Sequence, residues 1–167
     1  TVTWPDIIVV GVMLRPLPAL ELSAEAGPTL WSTFDRLAID FEQPNMRVSP
    51  IERGQLNPWS ARLGVQWWTP GRALALRAGL TFDQSSAAPA TLAPSGPDSE
   101  RLGFCVGAGY RVGRWGVDLG YMFAHFLDAT AAPPPLRADG YDPAQSPAGV
   151  YRSAAHQLAL TVSVRGQ

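Results

Sequence analysis

The side chains that could carry out catalysis are few and widely separated in this 167-residue sequence. Nucleophilic catalysis needs a base beside a hydroxyl, thiol or carboxylate. The sequence offers only His125 and His156 as imidazole bases, and Cys105 is its single thiol. Two separated histidines and one cysteine do not make the close ligand cluster that a zinc site needs. We therefore predict that the chain is not an enzyme and that it holds neither a metal ion nor another cofactor.

Arginine is the other residue type that could bind a ligand, through its charge and its hydrogen bonds. All 13 basic residues are arginines, and with 14 acidic residues they give a net charge of -1. A nucleic-acid-binding surface needs an excess of positive charge, so we expect no nucleic-acid partner. An arginine can hold a carboxylate through two parallel hydrogen bonds, and Arg62 and Arg77 are the candidates for such a ligand contact. The alternative is that these arginines pair with acidic residues on neighbouring strands.

The elements that position these residues are strands. Apolar and polar residues alternate with a period of two in seven segments, each bounded by Gly, Pro, Asn, Asp or Ser. The segments are residues 8–14, 20–26, 60–68, 74–83, 101–112, 115–128 and 154–165. We predict an all-β fold of seven antiparallel strands. The second is predicted to be one long strand that is interrupted near Pro28 and resumes at Leu37, Ile39 and Phe41.

The connections between the segments alternate in length. Residues 16–18, 69–72 and 113–114 are short connections, whereas residues 42–58, 85–97 and 129–152 are long ones. Short turns at one rim and long loops at the other are typical of outer-membrane barrels. Segments of this length also match the roughly 9 to 11 residues that a tilted membrane strand needs. The sequence therefore predicts an antiparallel transmembrane β-barrel.

The two faces of each predicted strand differ in composition. One face is apolar, and the other consists mainly of Gly, Ala, Ser and single charged residues, although a water-exposed surface normally carries many charges. We therefore predict that the apolar face contacts lipid and that the polar face lines a lumen. The alternative is a soluble or periplasmic lipocalin-like barrel, whose apolar face would line a cavity for a small hydrophobic ligand. Trp68, Met122 and Phe126 are apolar residues on the polar face, where they could line a ligand path or pack against another part of the protein.

Several short motifs along the chain resemble a known family in their order and spacing. They are Pro5-Asp6, Trp31-Ser32-Thr33-Phe34-Asp35, Phe82-Asp83-Gln84-Ser85, Pro97-Asp98-Ser99-Glu100-Arg101, Gly109-Tyr110-Arg111 and Asp118-Leu119-Gly120-Tyr121-Met122. Together they resemble the C-terminal half of the FadL/TodX family of outer-membrane transporters for long-chain fatty acids and aromatic hydrocarbons. The resemblance extends over nearly the whole chain.

The resemblance implies a fourteen-stranded barrel that is plugged by an N-terminal hatch. Residues 1–167 would then be the C-terminal portion of one barrel domain, without the hatch and the early strands. The implied function is passive uptake of hydrophobic compounds, such as long-chain fatty acids or aromatic hydrocarbons, across the outer membrane of a Gram-negative bacterium. The implied partners are that hydrophobic ligand and outer-membrane lipid, and we expect a monomeric barrel.

Overall fold

The computed structural model describes residues 4–34, 36–37, 51–52, 55–87, 98–131 and 149–166. Its strands are β1 (Val10–Leu17), β2 (Leu20–Pro28), β3 (Arg36–Leu37), β4 (Ile51–Glu52), β5 (Trp59–Trp68), β6 (Leu74–Asp83), β7 (Arg101–Val112), β8 (Trp115–Ala131) and β9 (Gly149–Val164). Two short 3-10 helices, Trp31–Phe34 and Pro70–Arg72, lie between strands. Within the described residues, no helix is long and apolar enough to cross a membrane.

Seven of the strands form one antiparallel sheet in the order β1-β2-β5-β6-β7-β8-β9. The two remaining strands, β3 and β4, form a separate two-stranded sheet. Each strand of the large sheet pairs with the next of the seven along the chain, so the sheet is a meander. This confirms the predicted all-β fold of seven antiparallel strands. In the part of the chain that is described, the sheet is open, and β1 and β9 form its edges.

The pairing register keeps each face uniform across the sheet. One row of paired residues is apolar or aromatic from strand to strand: Leu63, Leu80, Phe104, Phe123 and His156. On the opposite face, a row three residues away along each strand consists mainly of small or polar residues: Gln66, Arg77, Gly107, Gly120 and Ala159. A slip of one residue at any strand would exchange its two faces. We call the face that carries the second row the lumen face and the opposite one the outer face.

The exposure of the two faces is the reverse of that in a soluble protein. Large apolar side chains of the outer face are exposed, and Leu158 and Leu160 retain 74% and 69% of their accessible surface. Ala75 and Ala124 are the only buried apolar residues in the described part of the chain, and both lie on the lumen face. A lipocalin-like barrel would instead shelter its apolar face from the solvent. The geometry therefore favours an outer face that contacts lipid.

The short connections all lie at one rim of the sheet. They join β1 to β2, β5 to β6 and β7 to β8 through the turns near Pro18, Gly71 and Gly113. We call the row of strand ends at these turns the short-connection rim. Strands β8 and β9 extend farther from it than the sequence pattern indicates, because β8 continues to Ala131 and β9 begins at Gly149 rather than at residue 154. An irregularity between Phe126 and Ala129 shifts the alternation there, which hides the extension in the sequence.

The prediction of one long, interrupted second strand is wrong. Strand β2 ends at Pro28, and Leu37 instead pairs with Ile51 in the small sheet. Thr29 still donates to the carbonyl oxygen of Pro58 in the β2–β5 register, and the chain then leaves the large sheet through the 3-10 helix that follows. Ile39 and Phe41 lie outside the described residues.

Candidate transport lumen

Near the long connections, the charged side chains of the lumen face form a chain of ion pairs. Nη1 of Arg62 lies 2.9 Å from Oε1 of Glu25, and its Nη2 lies 3.7 Å from Oδ1 of Asp83. Arg101 continues the chain, with Nε 3.3 Å from Oδ2 of Asp83 and Nη1 3.9 Å from Oδ1 of Asp98. The register explains the contacts, because Glu25 pairs with Arg62 and Asp83 pairs with Arg101 across adjacent strands. The positive charge of Arg62 is thus compensated by acidic residues on the two neighbouring strands.

A second ion pair lies farther toward the short-connection rim and crosses over a strand. Arg77 on β6 donates from Nη1 to Oδ1 of Asp118 on β8, at 2.6 Å, and from Nε to Oε1 of Gln66 on β5, also at 2.6 Å. Strand β7 runs beneath the Arg77–Asp118 pair. A Cβ atom on Gly109 of β7 would overlap the Asp118 carboxylate and would lie 2.9 Å from Nη1 of Arg77. In this geometry, the ion pair occupies the space that a Cβ atom at position 109 would need.

Trp68 lies on the lumen face at the short-connection rim. Cζ of Arg111 is 4.9 Å from the centroid of its indole ring, and Cζ of Arg72 is 5.6 Å away. Both distances are within the range of a cation–π interaction. The indole ring therefore holds two guanidinium groups at this mouth of the lumen.

Phe126 and Met122 lie on the lumen face at two different heights. Phe126 lies near the long connections, where Cζ of Arg101 is 5.9 Å from its ring centroid. Met122 lies closer to the short-connection rim on the same strand and borders a cavity of about 460 Å³. Arg77 and Asp118 line that cavity as well. The cavity thus has an ion pair on one side and a thioether on another.

Small residues create this cavity, which we call the lumen cavity. Gly107, Gly120 and Ala159 occupy the row beneath it, where larger side chains would fill the space. A Cβ atom on Gly120 would have no other atom within 4 Å. Glycine inside a strand often marks a place where something else approaches the backbone. The adjacent glycines of β7 and β8 are the signal in the sequence that could have located this cavity.

The five candidate residues from the sequence all lie on the lumen face, but they do not form one site. Arg77 and Met122 share the lumen cavity. Arg62 belongs to the ion-pair chain, Trp68 lies at the short-connection rim and Phe126 lies near the long connections. Their contact with a ligand stays a prediction.

The two histidines lie on the outer face among aromatic rings. Nδ1 of His156 is 2.8 Å from the hydroxyl oxygen of Tyr121, and the His156 ring centroid is 5.2 Å from that of Phe123. His125 is stacked on the other side of this cluster, 6.5 Å from the Phe123 centroid. Such amphipathic rings suit the boundary between lipid and water. Among the described residues, no group of His, Cys, Asp or Glu could hold a metal ion.

Comparison with known proteins assigns the family. Residues 1–165 match the family model described as outer membrane protein transport protein (OMPP1/FadL/TodX). The chain belongs to this family. Membership in the FadL/TodX family confirms the resemblance carried by the sequence motifs, and the family is one of outer-membrane transport proteins.

A solved structure of the FadL type has the same fold. The chain superposes on a Pseudomonas aeruginosa FadL homologue with a TM-score of 0.74 and 21% sequence identity. The match covers 96% of this chain and 35% of the homologue, so the chain spans about a third of that protein's length. No curated protein matches the sequence. At this identity the likeness establishes the shared architecture of the FadL/TodX barrel wall.

We predict that Gly109→Val separates the Arg77–Asp118 ion pair. The added side chain occupies the position of the carboxylate, so the free energy of unfolding should fall by about 1 kcal/mol, the value of a partly exposed ion pair. Urea titration of the full chain, folded into lipid vesicles, measures this change. Gly120→Val is the matched control, because its Cβ meets nothing within 4 Å.

The same substitution should cost less in an Asp118→Asn background, because the ion pair is already absent there. An equal loss in both backgrounds would contradict this explanation of Gly109.

Proposed function

We propose that this chain forms part of the wall of an outer-membrane barrel that takes up hydrophobic compounds by passive diffusion. The proposed substrates are long-chain fatty acids or aromatic hydrocarbons, and the proposed location is the outer membrane of a Gram-negative bacterium. The exposure of the two faces carries the proposal: large apolar side chains are exposed on the outer face, while the lumen face is small, polar and hollowed. A lipid-embedded wall around a passage needs this arrangement.

The lumen cavity suits a molecule that is mainly apolar with one polar end. Its lining includes Met122, Cys105 and several glycine and alanine residues, and its charged part is the Arg77–Asp118 pair. The free energy of an apolar molecule decreases when it leaves water for such a surface. Passive transport also requires that the molecule leave again, so a shallow cavity of small residues is better suited to it than a closed, tight pocket.

The edges of the sheet require further strands. In lipid, every backbone N–H and C=O must be paired within protein, and an open sheet edge does not satisfy this condition. We infer that other strands of the barrel pair with β1 and β9, as in the fourteen-stranded barrel that the family resemblance implies. On this proposal the barrel closes within one protein chain, functions as a monomer and has outer-membrane lipid as its surroundings.

The lumen cavity can be filled by a substitution at Gly120, where a Cβ atom would have no other atom within 4 Å. We predict that Gly120→Trp in the full chain slows uptake of both a long-chain fatty acid and an uncharged aromatic hydrocarbon by about tenfold, because an indole ring would occupy much of the cavity. Cells that lack their own transporter and express each variant allow the uptake rates to be compared. Gly120→Ala is the matched control and should keep most of the uptake.

The amount of folded barrel is checked by its altered gel mobility before and after heating. Normal uptake by a correctly folded Gly120→Trp protein would show that the substrate does not pass through the lumen cavity.

Arg77 allows the two roles of an arginine to be separated. We predict that Arg77→Gln lowers uptake of a fatty acid about tenfold more than uptake of an uncharged hydrocarbon, because only the fatty acid has a carboxylate for the guanidinium to bind. Asp118→Asn is the control, since it breaks the same ion pair and keeps the guanidinium. Uptake of the two substrates by each variant is the measurement.

Selective loss in Arg77→Gln alone would support a carboxylate contact. Equal losses of both substrates in both variants would mean that Arg77 serves only to hold the wall together.

A further inference from the structure

Four arginines of the lumen mouth differ from all other described arginines. Five of the nine whose side chains are described contact a carboxylate: Arg15, Arg62, Arg77, Arg101 and Arg152. The other four have no carboxylate partner within the described part of the chain: Arg72, Arg111, Arg114 and Arg165. Among the described residues, this group of like charges is therefore not compensated by acidic side chains.

These four arginines line one cavity. It has a volume of about 360 Å³ and lies at the short-connection rim, where the turns after β5 and β7 meet the end of β9. The remaining lining residues include Gly116 and Ser163 and no acidic residue. Like charges brought together in this way repel each other unless an anion lies between them. We call this cavity the arginine cavity.

Neighbouring groups hold three of the guanidinium groups in place. Arg111 and Arg72 lie on the Trp68 ring, and Arg72 also donates from Nη2 to the carbonyl oxygen of Pro18 at 2.8 Å. Cζ of Arg114 lies 5.9 Å from the ring centroid of Trp115. Side chains that are held before a ligand arrives lose less conformational freedom when it binds.

The backbone of Arg72 supplies an independent observation. Its φ is +57°, and it is the only non-glycine residue with a positive φ in the described part of the chain. The backbone of a non-glycine residue is strained in this left-handed region, and such strain tends to persist where a function needs the residue. Glycine would relieve the strain but would remove a guanidinium group from the arginine cavity.

We propose that the arginine cavity binds a phosphate group. A carboxylate offers two oxygens and is satisfied by a single guanidinium fork, whereas a phosphate group offers oxygens to several forks at once. The short-connection rim of an outer-membrane barrel faces the periplasm. Phosphate groups reach that rim either as headgroups of phospholipids, which basic pockets at membrane surfaces bind, or on soluble molecules.

The test uses the full chain, purified in a non-ionic detergent without phosphate. Isothermal titration calorimetry measures the binding of inorganic phosphate and of a short-chain phosphatidylglycerol. The proteins compared are wild type, the double variant Arg111→Gln/Arg165→Gln and the control Arg15→Gln. Arg15 lies near the same rim, but it already has a partner, since its Nη2 is 2.8 Å from Oε2 of Glu21. Gel mobility before and after heating checks that each variant is folded.

We expect at least one ligand to bind saturably to wild type and to Arg15→Gln, and to bind about tenfold more weakly to the double variant, since two charge-assisted contacts are lost. Binding of the phosphatidylglycerol alone would identify the headgroup as the source, and binding of both ligands would identify the phosphate group itself. Absence of saturable binding to wild type, or equal binding to the folded double variant, would overturn the proposal. The readout does not involve uptake, so its failure is distinct from failure of the transport proposal.

Discussion

The whole structure depends on the pairing of backbone hydrogen-bonding groups between neighbouring strands. Without water, each N–H and C=O must find its partner within the protein, and the pleated strands that achieve this place successive side chains on opposite faces. The register then decides what each face carries. Here it aligns Leu63, Leu80 and Phe104 on the outer face, and it aligns Gly64, Gly79 and Cys105 on the lumen face. The proposed membrane contact and the proposed transport lumen are thus two consequences of one pairing scheme.

The charged side chains of the lumen face are paired with opposite charges, except at the short-connection rim. Charges in the middle of the wall and near the long connections are compensated along the sheet, as in the Arg77–Asp118 pair and the chain that begins with Glu25 and Arg62. At the short-connection rim, the guanidinium groups of Arg111 and Arg165 have no such partner among the described residues. Among the described residues, the lumen face is therefore polar but nearly neutral in its middle and near the long connections, and it is positive at the short-connection rim.

The sequence pattern predicts the strands and their faces well, because alternation reports directly on which side of the sheet a residue lies. For this reason, the alternation places all five candidate residues on the same face as the pairing register does. Alternation does not report which residues meet. Arg77 reaches Asp118 across an intervening strand, and Gly109 permits that contact, so only the register reveals the pair. The pattern does not predict that Leu37 pairs in a separate sheet or that β8 and β9 extend so far, since the chain turns through a 3-10 helix after Pro28 and a local irregularity interrupts the alternation in β8.

The central claim is that the apolar register contacts lipid and the small, polar register faces the lumen. Spin labels on single cysteines along β9, in the full chain with Cys105→Ser and in lipid bilayers, test it most directly. The account predicts that labels at Leu158, Leu160 and Val162 collide often with dissolved oxygen, which concentrates in lipid, and rarely with a water-soluble nickel complex. Labels at Gln157, Ala159 and Thr161 should show the opposite preference. Reversed preferences, or no alternation along the strand, would contradict the account.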